Sequence, residues 1–195
     1  MASASTLAPN KEIYPIAKKK IGIRLETADG KFVIQAKERG FTFSILSTYD
    51  SWKSFSEEAF KYWNIYRRVF KPKKVTRQAL RYINRIDVPE LSFEMKNYFR
   101  VYPQVFEDDR MVQISGFFMQ VQIPQQEGGV ANLTQTIANP AKAGCSSIIL
   151  DIDVFDNKQY LPGARDLRKR IESLRNQKNS IFEEAITNRT RDLIS

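Results

Sequence analysis

Asp151 and Asp153 stand two residues apart in a run from Ile148 to Phe155 whose apolar and polar positions alternate, so a strand there puts both carboxylates on one face. Two carboxylates so placed can hold a hard cation, share a proton, or neutralise two cations. Arg81 and Arg85 supply the matching cations, because their spacing of four in another alternating run also places them on one strand face. A guanidinium fork fits a carboxylate better than any other side chain does. The spacing therefore predicts a structural ion-pair cluster of Arg81, Arg85, Asp151 and Asp153. Metal-assisted hydrolase or nuclease chemistry at Asp151 and Asp153 is the alternative, without a histidine or a third carboxylate at ligand spacing beside it.

The residue inventory narrows the chemistry further. The chain has no histidine, which removes the commonest general base and the commonest imidazole ligand. No S-x-x-K motif replaces it, so an activated serine has no base. The single cysteine, Cys145, has no partner for an internal disulfide and reads as a small buried hydrophobe. Neither G-x-G-x-x-G nor G-x-x-x-x-G-K-[ST] occurs, so no cofactor and no catalytic residue is expected.

Charge supplies the second candidate. Lys plus Arg number 31 against 22 Asp plus Glu, a net +9 that favours anionic partners. Eight of these cations fall between Arg67 and Arg85 with no acid among them. Arg67, Arg68, Lys71, Lys73 and Lys74 form the candidate anion-binding surface, because Arg81 and Arg85 are expected to be held by the aspartates. A helix C-terminus also collects cations without any ligand, and the aromatic residues nearby follow core spacing and not that of an exposed stacking platform.

The elements that must position these groups follow from period and punctuation. Runs at 20–27, 31–37 and 41–45, with Ala28-Asp-Gly30 between the first two, predict a three-strand meander. Trp52, Phe55, Ala59, Trp63, Tyr66 and Phe70 recur at helical spacing up to Pro72 and should pack on a sheet. Strands are expected at 78–88, 111–123, 130–138 and 146–155, with a bulge at Gly116 and a Gly128-Gly129 turn. A short helix is expected within 91–98, and a long C-terminal one over 164–186 with Leu167, Ile171, Leu174, Ile181, Phe182, Ala185 and Ile186 as its apolar stripe. Asn84 falls on the apolar side of its strand and needs partners there. The order βββαβαβββα predicts an α+β fold: an antiparallel or mixed sheet of six to seven strands, a long helix after the first meander, and the C-terminal helix on one face. Residues 1–10 read as a disordered lead and 11–195 as a single domain. No run approaches the roughly 18 apolar residues of a membrane span.

Four blocks in order, FTFS at 41–44 with YDSW at 49–52, LRYINRI at 80–86, ILDID at 149–153 and LRNQKN at 174–179, resemble a family of sporadically distributed prokaryotic proteins of unknown function. Members of that family carry a further strand and helix ahead of the first block, so the resemblance implies either a short version of the family's chain or a sheet edge covered by another chain. It implies no catalytic residue. It suggests a regulatory or neutralising protein linked to defence or toxin–antitoxin genes. The expected function is a non-enzymatic binding protein of a prokaryotic cytoplasm. A protein partner is favoured, nucleic acid is the alternative, membrane is not expected, and self-association through a sheet edge stays open. A small-ligand binder using a cavity between sheet and C-terminal helix is the third reading.

Overall fold

The computed structural model describes residues 21–46, 49–104 and 114–194. They fall into two compact units that meet in sequence at Pro72 and Lys73. The expected lead at 1–10 lies outside the described residues.

In the first unit, β1 (Gly22–Glu26), β2 (Phe32–Lys37) and β3 (Gly40–Ile45) form an antiparallel meander followed by α1 (Trp52–Phe70). Gly30 takes φ +67 in the first turn, a conformation glycine adopts freely. Ser51 caps α1 by accepting from the Ser54 amide at 3.2 Å, and Lys71 ends it in the left-handed region at φ +46, just before Pro72. The aromatic stripe packs on β3. Phe41 meets Trp63 and Tyr66 at 5.7 and 5.5 Å, Phe43 meets Phe55 and Tyr62 at 5.5 and 5.7 Å, and the Tyr66 hydroxyl donates to the Lys37 carbonyl at 2.9 Å. Each such aromatic pair adds about 0.5–1.5 kcal/mol beyond burial.

The second unit holds β4 (Gln78–Val88), α2 (Met95–Tyr98), β5 (Phe118–Pro124), β6 (Val130–Ala138), β7 (Ser146–Asp156), α3 (Arg165–Ala185) and α4 (Asn188–Ile194). Its sheet is antiparallel in the order β4-β7-β6-β5. Strict alternation on β7 sends Ile148, Leu150, Ile152 and Val154 to one face, where each is buried, and Leu80, Ile86 and Val88 of β4 and Ala131 and Leu133 of β6 join them. The helix α3 packs on β4 and β7 through Leu167 and Leu174. A fully buried side chain of this kind contributes about 1.5–3 kcal/mol.

The α+β class stands, and the described residues hold seven strands, but the single sheet becomes two sheets of three and four strands. The strand expected over 111–123 begins at Phe118. Residues 111–113 lie outside the described set, and Gly116 precedes the strand, so it makes no bulge. An unexpected short helix, α4, follows α3 after the extended residue Ile186. Asn84 is half-buried, and its amide donates to the Leu150 carbonyl at 3.0 Å, as its position required.

Candidate functional site

Although Gln78, Asn84, Gln135 and Asp156 fall on the core side, most polar positions of the second unit's strands share the sheet face opposite to the core. Register arranges them in three rows across the four strands. Arg81, Asp153, Asn132 and Gln122 form one row, Ile83, Asp151, Thr134 and Gln120 the next, and Arg85, Ile149, Thr136 and Phe118 the third. Side chains bond along the rows: Gln120 donates to Thr134 at 3.0 Å and Gln122 to Asn132 at 3.2 Å. Ile83 and Phe118 stand out of this polar field at 61% and 72% exposure.

The arginines reach across it diagonally. Arg81 faces Asp153 in register but donates from Nε to both oxygens of Asp151, at 2.9 and 3.1 Å, and this bonding holds its guanidinium still more firmly charged. Asp153 is taken instead by Arg77 at 3.2 Å, and the Arg77 guanidinium lies 4.6 Å from the centroid of the Phe155 ring. Arg85 turns away from both aspartates. It donates from Nε to Asp87 at 2.9 Å and from Nη2 to Ser147 at 2.8 Å. The Ser147 hydroxyl also donates to Asp87, and this bond first, then Arg85, lowers the Asp87 carboxyl below its ordinary value.

Of the four residues expected to cluster, the structure thus joins Arg81 with Asp151 and gives Asp153 and Arg85 other partners. Arg77 was legible: it lies four before Arg81, on the same face, yet just ahead of the first strand residue. Each aspartate of the pair is engaged by a guanidinium, and among the described residues no group of three or more His, Cys, Asp or Glu comes together to hold a metal ion.

The basic run divides at the boundary between the units. Arg67, Arg68 and Lys71 belong to the C-terminal end of α1, where Arg67 bonds Asn64 at 3.1 Å and the Lys71 amide caps Arg67 at 3.1 Å. Lys73 and Lys74 open the second unit. Lys74 Nζ donates to Gln159 at 3.4 Å, brought there by the mutual backbone bonds of Val75 and Tyr160 at 2.9 and 3.0 Å. The five expected residues therefore divide between the two compact units, Arg67, Arg68 and Lys71 in the first and Lys73 and Lys74 in the second.

Two cations that the sequence reading passed over lie in the buried stripe of α3. Arg170 is 8% exposed and bonded on every side: Nε to Asp156 at 2.7 Å, Nη1 to Ser173 at 3.0 Å and to the Glu127 carbonyl at 3.3 Å, and Nη2 to the Gly128 carbonyl. Lys178 places Nζ 3.8 Å from the centroid of the Tyr82 ring, and burial, with Arg175 adding and Glu183 opposing, lowers its pKa to about 8. Their spacing from Leu167 and Leu174 was the available signal, since 167, 170, 174 and 178 follow one helical face.

A cleft of about 470 Å³ opens beside the first turns of α3, between Lys158–Leu161 and Ala164–Ser173. No helix among the described residues is long and apolar enough to cross a membrane. In comparison with known proteins, no family model, no curated protein and no solved structure matches the chain.

Proposed function

We propose that the chain is a non-enzymatic binding protein of a prokaryotic cytoplasm and that it meets a protein partner on the open face of its four-stranded sheet. The observation that carries this reading is the charge pattern of that face: Arg77, Arg81 and Arg85 are each matched by Asp153, Asp151 or Asp87. A phosphate backbone would have to displace aspartates from their guanidinium partners, which opposes nucleic acid on this surface. A protein surface can meet the same grid with its own amides and hydroxyls, while Ile83 and Phe118 offer apolar contacts that become dry on docking. The role suggested by the family resemblance, a regulatory or neutralising protein, is compatible with such a surface.

The test compares three forms of the full chain: wild type, Ile83→Asp with Phe118→Asp, and a form with Arg67, Arg68, Lys71, Lys73 and Lys74 changed to Gln. Each is assayed for co-purifying protein and for retention on immobilised DNA and RNA at several salt concentrations. Protein capture that the first pair of changes abolishes and the five charge changes leave intact is expected. Salt-sensitive retention on nucleic acid that only the five charge changes remove would replace the protein partner by nucleic acid.

A further inference from the structure

We propose that the cleft beside the first turns of α3 binds a small phosphate monoester with an apolar or aromatic body. At about 470 Å³ it has the volume of a metabolite site. Its apolar wall comes from Tyr160, Leu161 and Ala164, with Leu161 71% exposed and so available for contact. Its cations are Lys158 and Lys169 on the lining, and Lys74 at the rim, held there by Gln159. Neither Lys158 nor Lys169 forms an ion pair among the described residues. Arg170 lies at the back of the cleft but is matched by Asp156, so it positions the wall without adding free charge.

Asp166 is the one carboxylate on the lining. On the lining Lys158 and Lys169 exceed Asp166 by one positive charge, and at the rim Lys74 is balanced by Glu127, which accepts from the Ser173 hydroxyl at 2.6 Å, so the cleft keeps a net positive field that favours a phosphate monoester above its second pKa of about 6. The lysine stems can lie along Tyr160 and Leu161 while their ammonium groups stay near solvent, which lets both converge on a phosphate without a desolvation penalty beforehand. Tyr160 adds a phenol whose pKa burial raises, so it stays a neutral donor through physiological pH.

The cleft shares no residue with the open sheet face, so its test is independent of the protein-partner reading. Isotope-labelled full chain is titrated with phenyl phosphate, inorganic phosphate and phenol, following the amide signals of Tyr160, Leu161 and Ala164. Phenyl phosphate should give saturable shifts there, with each fragment binding about 10-fold more weakly. Lys158→Gln with Lys169→Gln should weaken phenyl phosphate by about 10-fold or more, and Asp166→Asn should tighten it. All these changes are at the surface, and an unchanged melting midpoint checks the fold. Absence of saturable shifts, or shifts that the lysine changes leave as they were, would overturn the assignment.

Discussion

Lys178→Met isolates the energetic consequence of placing an ammonium in the buried stripe of α3. The lysine is 9% exposed, and its pKa falls from the ordinary 10.5 to about 8. At about 1.4 kcal/mol for each tenfold change in proton affinity, the fall corresponds to a ceiling of about 3 kcal/mol. The sign follows from proton counts. Below pH 8 both folded and unfolded chains carry the charge and the penalty is felt in full; between about 8 and 10.5 the unfolded chain binds more protons, so stability rises with pH. Attraction between Nζ and the Tyr82 ring, 3.8 Å from its centroid, offsets about 1–2 kcal/mol of the penalty. Methionine fills nearly the same volume without the charge and keeps contact with the ring through sulfur. Lys178→Met should therefore stabilise the chain by about 1–2 kcal/mol at pH 7, and the gain should shrink toward zero by about pH 10.5. Urea unfolding of both proteins at unit steps from pH 6 to 10 measures this, and the difference between them cancels other groups that titrate in the window. A destabilised variant at pH 7, or a difference that does not change between pH 7 and 10, would refute the reasoning.

Arg170→Ala should cost about 3–5 kcal/mol in denaturant unfolding, because it leaves Asp156 charged and 8% exposed, whereas Arg170→Met combined with Asp156→Leu should recover much of that loss. Gly129→Ala should lower the melting midpoint while Gly116→Ala leaves it nearly unchanged. At Gly129 the backbone has φ +94 and an added Cβ would sit 2.5 Å from the Phe155 carbonyl oxygen, a strain of about 1–3 kcal/mol, whereas at Gly116 nothing lies within 4 Å.

Elements with a strict period were the ones readable from the chain. On β7, Ile148, Leu150, Ile152 and Val154 alternate with polar or half-exposed residues without interruption, and α1 repeats aromatics at helical spacing up to Pro72; in both, burial on one face leaves a single consistent period. Sheet membership was not readable, because it depends on pairing distant in sequence. Arg81 meets Asp153 only once β4 is laid beside β7, and nothing local to either strand excludes β1–β3 from the same sheet. The candidate cluster failed in part for a similar reason. Periodicity puts Arg85 on the correct face, but position along the strand sets it against Ile149 and beside Ser147, two rows away from Asp153. Arg170 and Lys178 were missed because long cationic stems behave as apolar residues over most of their length, so a stripe counted only in Leu, Ile and Phe skips them.

The distribution of charge assigns different work to different surfaces. The chain carries a net +9, yet on the open sheet face three arginines are met by three aspartates, so the surplus must reside elsewhere. Part of it is on the end of α1 and on Lys73 and Lys74, and part lines the cleft as Lys158 and Lys169. A paired guanidinium and carboxylate present only a weak, short-ranged dipolar field, whereas an unmatched lysine attracts anions out to a Debye length of about 8 Å. If the proposed protein partner is acidic, its encounter is steered by cations that need not touch it, and selectivity comes from the hydrogen-bonding rows and from Ile83 and Phe118. Salt should then slow association while leaving the choice of partner to the neutral face. That separation is what a charged chain requires if it is to bind one protein surface among many acidic ones.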